Sequence, residues 1–323
     1  MSEKKIMQTK NALVSFSQAI EGVADKVSQS VVSVRSRIRG NGSGVVWTTE
    51  GHIITCSHLV GKLDEVEVSL SNGKSYPAKV LGSDPYSDIA LLKIEANDNS
   101  SDSIPLKPIE IADSESLKAG QFILALANPY GEYPSITEGI ITSERSSIVG
   151  GAVGWWAGVL DSIVITDARL NPGYSGGPLV DVEGKMIGLN VAYISSRGIA
   201  IRAGKVKNIA DQLTKDGAIK KAYLGIITNT ISLPAEVSAQ LEPIQEEGLM
   251  VLSVEKETPA KKAGLLIGDI IVRFDNEPVT NMHELRRQLL KQEVVGKSVN
   301  LAIMRGEKKM ELTITPAEAS RCD

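Results

Sequence analysis

Asn171-Pro-Gly-Tyr-Ser-Gly-Gly-Pro-Leu-Val-Asp-Val-Glu-Gly184 is the stretch on which the fold turns. Glycines stand close to Ser175 on both sides, at 173, 176 and 177. They open backbone conformations closed to other residues and let another chain approach the serine. Past them the chain reads as a strand, Pro178-Leu-Val-Asp-Val182, and then as a turn at Glu183-Gly184. The serine therefore leads into a strand. Working outward, residues 31–203 repeat this pattern of short β-branched runs closed by turns. The runs include 31–34, 44–47, 52–55, 66–70, 89–94, 122–125, 163–166 and 186–191, with turns at Ser71-Asn-Gly73 and Asn128-Pro129. Many short strands without intervening helices predict an antiparallel barrel or sandwich.

At roughly 150 residues per domain, a chain of 323 residues holds two domains. The β-rich region is bracketed by helical patterns. Phe16, Ile20, Val23 and Val27 predict a short amphipathic helix within 12–29. Val206, Ile209, Ala210 and Leu213 predict another over 205–215, stopped by Asp216-Gly217. Beyond it, strands at 249–254, 270–274, 299–304 and 310–314 mix with helical stretches at 259–263 and 282–290, which predicts a small α+β unit. Asn281 can cap the second helix with Glu284 reaching back. The expected boundaries are an N-terminal segment at 1–29, a first domain at 30–216, a second at 217–316 and a tail at 317–323.

Composition narrows the classes. Thirty-five Lys and Arg against 39 Asp and Glu leave a net charge of −4, without the global basic signature of a nucleic-acid binder. Two cysteines, Cys56 and Cys322, cannot build a disulfide framework. No uncharged apolar run approaches the ~18 residues that span a bilayer. Lys10, Asn11, Glu21 and Asp25 interrupt every window for an export signal. The expected compartment is the cytoplasm, with a trimmed exported form as the alternative.

Only three histidines are available: His52, His58 and His283. A metal site wants several His, Cys or carboxylates at set spacings, and Cys56-Ser-His58 alone is a poor one, so no metal or cofactor is expected. Nucleophilic catalysis needs a base, an orienting carboxylate and an activated nucleophile. Ser175 fits the nucleophile, and the glycines around it let backbone N–H groups converge as an oxyanion hole. Gly173–Gly177 also satisfies the G-x-S-x-G pattern of an α/β-hydrolase elbow. That assignment fails because an elbow leads into a helix, and because the one histidine after Ser175 is His283 on a charged helix. The order His58, Asp88, Ser175 instead matches barrel proteases of the chymotrypsin type. His58 closes the apolar run 53–57 at the expected end of a strand, and Asp88 immediately precedes another.

These residues sit in blocks that resemble the HtrA family of serine proteases, in which a trypsin-like barrel is joined to PDZ domains. The blocks are Gly42-Ser-Gly-Val-Val46, Thr55-Cys-Ser-His-Leu-Val60, residues 84–93, Asn128-Pro129, Thr137-Glu-Gly-Ile-Ile141, Thr166-Asp-Ala168, residues 171–179 and Ile187-Gly-Leu-Asn190. The resemblance implies a mainly β fold: a chymotrypsin-type double β-barrel followed by an α+β PDZ domain. It implies Ser175 as nucleophile, His58 as general base, Asp88 as orienter, and the N–H groups of Gly173 and Ser175 as oxyanion donors. A histidine base must be neutral, so activity is expected to fall in acid. The implied function is an endopeptidase of protein quality control acting on unfolded or misfolded proteins, as a homotrimer or a multiple of one, with Phe16 and its neighbours as contacts. A catalytically weak chaperone or PDZ adaptor on the same barrel is the alternative.

Ala260-Lys-Lys-Ala-Gly-Leu-Leu-Ile-Gly-Asp-Ile-Ile271 looks like a PDZ signature, and Tyr223-Leu-Gly-Ile226 resembles the loop that captures a peptide's terminal carboxylate. The peptide C-terminus would add as a strand beside Tyr223, Leu224, Gly225 and Ile226, with its last side chain near Leu285 and Leu289. Plain helix-to-sheet packing explains those leucines equally well. Some positions depart from the family pattern. Tyr174 stands before the nucleophile where Asn is usual, and is expected to change the wall of the site. Arg169 stands where a small residue is usual, and is expected to point outward. Arg202 replaces a usual proline. The 143–162 loop diverges most; the resemblance implies that this region relays PDZ occupancy to the protease site, with Arg145 as a candidate for that role, and Trp155-Trp156 read as an exposed or interfacial anchor.

Overall fold

The computed structural model describes residues 3–38, 40–85, 87–94, 106–114, 116–132, 134–149, 159–217, 222–289 and 294–318. It divides into two compact units, Met1–Ile219 and Lys220–Asp323. The first opens with α1 (Glu3–Ser28), a 26-residue helix that starts well before the predicted one. Strands β1 (Val31–Ser36), β2 (Gly40–Val46), β3 (His52–Thr55), β4 (Glu65–Ser69), β5 (Ser75–Asp84) and β6 (Ile89–Ile94) then close into an antiparallel barrel in the order β1-β2-β3-β6-β5-β4. A second closed barrel holds β7 (Phe122–Ala127), β8 (Ser135–Val149), β9 (Val159–Thr166), β10 (Pro178–Val180), β11 (Met186–Ile194) and β12 (Arg197–Arg202), in the order β10-β11-β12-β9-β8-β7. A one-turn helix, α2 (Ser57–Val60), lies between β3 and β4, and α3 (Ala203–Asp216) follows β12.

The strand pleat explains why these runs are apolar without a break. Successive side chains point to opposite faces, and here both faces are buried. Ile53 and Leu92 fill the first barrel while their neighbours Ile54 and Leu91 enter a separate cluster. In the second barrel Ile123 points inward, and Leu124 and Leu126 enter that same separate cluster. The shared cluster is the seam between barrels. Each of these side chains is at most 1% exposed and contributes about 1.5–3 kcal/mol through burial. Val27 of α1 and Val206, Ile209 and Leu213 of α3 extend the seam. The left-handed Gly217 ends α3, its N–H donating to the Leu213 carbonyl. Trp155-Trp156 and the Arg145 side chain lie outside the described residues.

The second unit is a sheet in the order β14 (Ile226–Ser232), β15 (Glu247–Val254), β16 (Ile270–Phe274), β18 (Val299–Arg305), β19 (Lys308–Ile314), with β17 (Glu277–Pro278) on β16. Helices α4 (Ala235–Ser238), α5 (Pro259–Lys262) and α6 (Met282–Leu289) accompany it. β13 (Ala222–Tyr223) pairs with β20 (Ala317–Glu318), so the stretch expected to be a tail begins as a strand. Asn281 caps α6 by accepting the Glu284 N–H, but the Glu284 carboxylate takes the N–H and hydroxyl of Thr280, one residue earlier than a capping box would place it.

Asp269, 1% exposed, holds Arg305 through two 2.8 Å bonds and also accepts the Leu266 N–H. Replacing Asp269 by Asn leaves a partly buried guanidinium without its counter-charge. Because Arg305 reaches solvent, the expected loss is roughly 1–3 kcal/mol rather than the full buried-pair value. Faster native-state amide exchange in β16 and β18, with the barrels unaffected, is the expected signature; unchanged exchange would remove the ion pair from the stability of this unit.

Candidate active site

Extended backbone at Cys56 turns the chain out of β3 into α2, and Gly61 ends that helix after one turn. His58 therefore stands on a helical turn, not at a strand end as expected. Asp88 sits one residue before β6 with φ +55°, in the left-handed region that Asp and Asn tolerate better than other side-chain-bearing residues. This places its carboxylate across two donors of the same histidine. Oδ1 accepts the His58 backbone N–H at 2.8 Å, and Oδ2 lies 2.7 Å from His58 Nδ1. The Asp88 carbonyl accepts the Ser57 N–H as well. An ionised carboxylate only accepts, so the shared proton belongs on Nδ1 and the ring's lone pair on Nε2, where a general base needs it. Asp88 is 2% exposed while the imidazole keeps 23% of its surface.

Ser175 lies in the turn between β9 and β10. Its Oγ donates to the Val191 carbonyl at 2.8 Å, so the hydroxyl rests against β11. Its carbonyl accepts the Ser43 N–H of β2, and the Gly176 N–H donates to the Asn190 carbonyl. The serine turn of the second barrel is thus stitched onto strands of both barrels. Gly173 and Gly176 take φ of +93° and +84°. Among the described residues, the N–H groups of Gly173 and Ser175 have no protein acceptor, as donors awaiting a ligand would.

Tyr174 differs from its expectation. It is 2% exposed and packs into the second barrel's core instead of the site's wall, where burial pushes its phenol pKa up. A side chain in a tight turn can take either face, and the pattern of a four-residue turn does not say which. Arg169 is exposed and points outward, while Arg202 donates to the Ser114 carbonyl beside α3. Four positions that the residue-by-residue reading left without a role, Ser43, Thr55, Asn190 and Val191, hold the serine turn in place. The sequence signal for Ser43, Thr55 and Asn190 was membership of the Gly42-Ser-Gly44, Thr55–Val60 and Ile187–Asn190 blocks; Val191 stood only in the apolar run 186–191.

Donor atoms of Cys56, His58 and Asp88 lie within 4.8 Å of one another, a set that could hold a metal ion. Two of the three are already bonded to each other, and the Cys56 thiol faces the Asn190 carbonyl at 3.4 Å. Burial, and then the nearby Asp88 charge, push the thiol pKa well up. A neutral thiol is neither a good metal ligand nor a nucleophile. In a Cys322→Ser variant, Cys56 is therefore expected to resist maleimide at neutral pH in the native protein and to react after unfolding; rapid native labelling of that variant would contradict its burial.

In the second unit, the carbonyls of Leu224 and Gly225 are taken by the Ala260 and Glu255 N–H groups. Tyr223 donates to Glu255 at 2.5 Å. Leu224 and Leu285, 2% and 1% exposed, belong to the hydrophobic core, and Leu289 packs on it half-buried. Of the two leucines, Leu285 serves the core and only Leu289 keeps exposed surface. β14 is an end strand with α6 against it. The His283 side chain lies outside the described residues.

Residues 42–189 match the trypsin-like peptidase domain and residues 222–315 the PDZ domain. Protease Do-like 1, chloroplastic, of Arabidopsis thaliana is 33% identical over 294 residues, 86% of this chain and 63% of that protein. Periplasmic serine endoprotease DegP of Salmonella typhimurium is 31% identical over 287 residues, 87% of this chain and 57% of that one. Among solved structures, the serine endoprotease from Yersinia pestis is 28% identical with a TM-score of 0.72, covering 92% of this chain and 97% of its own.

The chain belongs to the HtrA family.

A further HtrA structure, the HtrA-type protease AlgW with tripeptide, is 25% identical with a TM-score of 0.73 over 93% of this chain and 97% of its own. This HtrA chain spans about three-fifths of the length of the curated relatives it matches. Those relatives are named periplasmic or chloroplastic, which overturns the cytoplasmic expectation and points to an extracytoplasmic location. The expectation rested on a missing apolar run, and a missing run says nothing about address. Among the described residues, no helix is long and apolar enough to cross a membrane.

Proposed function

We propose that this HtrA protein is a serine endopeptidase that cleaves unfolded or misfolded proteins. The observation that carries the reading is the two-point grip of Asp88 on His58, which sets the imidazole's tautomer. In the proposed reaction Ser175 Oγ leaves the Val191 carbonyl, turns to His58 Nε2 and attacks the scissile carbonyl. His58 takes the hydroxyl proton, and the N–H groups of Gly173 and Ser175 receive the oxyanion. Collapse of the tetrahedral intermediate passes that proton to the leaving amine. Water, deprotonated by the same imidazole, then hydrolyses the acyl-serine and restores the hydroxyl.

The PDZ unit would supply recognition. A peptide C-terminus adding along the free edge of β14 would set its carboxylate by Tyr223–Ile226 and its last side chain by Leu289. Leu13, Val14 and Phe16 of α1 are 49–65% exposed, and Phe16 touches Phe122 edge-on, centroids 5.5 Å apart. Such an apolar helix face supports self-association, proposed here as a homotrimer; a light-scattering mass of three chains, lowered by Phe16→Glu, tests it.

A second reading, a PDZ adaptor on an inactive barrel, draws on the Ser175–Val191 bond, which engages the hydroxyl elsewhere. Fluorophosphonate labelling and casein digestion separate the two. Wild type is expected to label and to digest casein, and Ser175→Ala to do neither, with a rate loss of about 10⁵–10⁶-fold. Absence of labelling in wild type, with PDZ peptide present or not, would install the adaptor reading.

A further inference from the structure

Ser43 makes four hydrogen bonds from a position with no exposed surface. Its N–H donates to the Ser175 carbonyl at 2.9 Å, and its carbonyl accepts the Thr55 hydroxyl at 2.7 Å. Its Oγ accepts the Asn128 N–H at 2.8 Å, which directs its single proton to the Gly173 carbonyl at 2.7 Å. An amide N–H can only donate, so the directions of these bonds follow from the chemistry.

The peptide unit between Gly173 and Tyr174 is the one so held. Its carbonyl is taken by Ser43 Oγ, and its N–H donates to the Asn171 carbonyl at 3.0 Å. It lies between the two peptide units whose N–H groups, of Gly173 and Ser175, are without protein acceptors among the described residues. Glycine at 173 offers no Cβ to restrain rotation, so the plane of its neighbouring peptide is set by these bonds and by Pro129, whose Cβ stands 2.3 Å from where a Gly173 Cβ would be. Remove the Ser43 hydroxyl and the Gly173 carbonyl loses its side-chain donor, while the backbone bonds of residue 43 persist.

We propose that Ser43 is a positioning residue, a clamp from the first barrel that holds the two oxyanion donors of the second in register through the Gly173 carbonyl. The proposal rests on the endopeptidase reading and names the part of the fold that preorganises its transition-state site. Preorganised donors act on the developing charge and not on the ground state, so a loosened clamp lowers turnover more than binding.

Ser43→Ala provides the test, measured per active site by titration with a fluorophosphonate and normalised for folded protein. Losing a whole oxyanion donor costs about 10²–10³-fold. Loosening two donors at one remove is expected to cost about 10- to 100-fold in kcat, with KM within about threefold. Affinity for a peptide boronate is expected to fall by the same factor as kcat/KM, and the Tyr174 amide to exchange faster with solvent. Ser43→Cys keeps a donor at that position and is expected to fall between Ala and wild type. Equal kcat per titrated site, or a Tyr174 amide exchanging as in wild type, overturns the clamp. If wild type itself takes no fluorophosphonate, the endopeptidase reading fails, while the exchange measurement still decides whether Ser43 holds the turn.

Discussion

Asp88→Asn is expected to lower kcat about 10⁴-fold near neutral pH while leaving the fold in place. The size of the effect follows from counting donors. Asp88 faces two protons, the His58 backbone N–H at Oδ1 and the imidazole Nδ1–H at Oδ2. An amide has one oxygen and one NH₂. The backbone N–H cannot change its role, so it claims the oxygen and leaves the NH₂ facing Nδ1. Nδ1 must then accept, the ring proton moves to Nε2, and the lone pair that would take the serine proton is gone. The backbone tolerates the change because Asn enters the left-handed region, φ +55° here, as readily as Asp. Near-normal circular dichroism with a lost kcat is therefore expected. An Asn variant within tenfold of wild type at neutral pH would mean that Asp88 does not set the tautomer.

How much of this was legible in the sequence depended on the range of the interaction that decides each residue. Ile53-Ile54 and Leu91-Leu92 read as strands because both faces of each are buried, one in a barrel and one in the seam, and continuous apolarity records that directly. Asp88 and Ser175 were legible as candidates because their neighbours are local, a strand start and a glycine turn. His58 read as the end of a strand because one helical turn is too short to leave a period of 3.6. Leu285 was ambiguous because a helix facing a sheet and a helix lining a groove share the same spacing. Ser43 left no sign of its role, since its partners Asn128, Gly173 and Ser175 lie 85 or more residues away and meet it only when two barrels close. Compartment is further still from any packing pattern, since it is read by machinery outside the fold.

Gly176→Ala is expected to be the most damaging single methyl in the first unit, and a second glycine isolates the reason. At φ +84° a Cβ is strained by about 1–2 kcal/mol in any surroundings. At Gly176 it would also stand 2.1 Å from the Ser43 carbonyl oxygen and 2.5 Å from Thr55 Oγ1. Those two atoms are bonded to each other at 2.7 Å, and the carbonyl belongs to β2, so neither can retreat alone. Relief requires the serine turn to back away, which stretches the Gly176–Asn190 and Ser43–Ser175 bonds together. Overpacking adds about 1–3 kcal/mol and each of the two bonds lost about 1 more, so with the backbone strain the expected total is roughly 4–7 kcal/mol. Gly120 has φ +90° with nothing within 4 Å of its absent Cβ. Gly120→Ala is therefore expected to cost only the backbone strain, about 1–2 kcal/mol, and to label normally with fluorophosphonate. The Gly176 variant is expected to lose labelling even in its folded fraction. Equal urea midpoints for the two variants would show that backbone strain alone sets the cost, and that the serine turn is not wedged against β2.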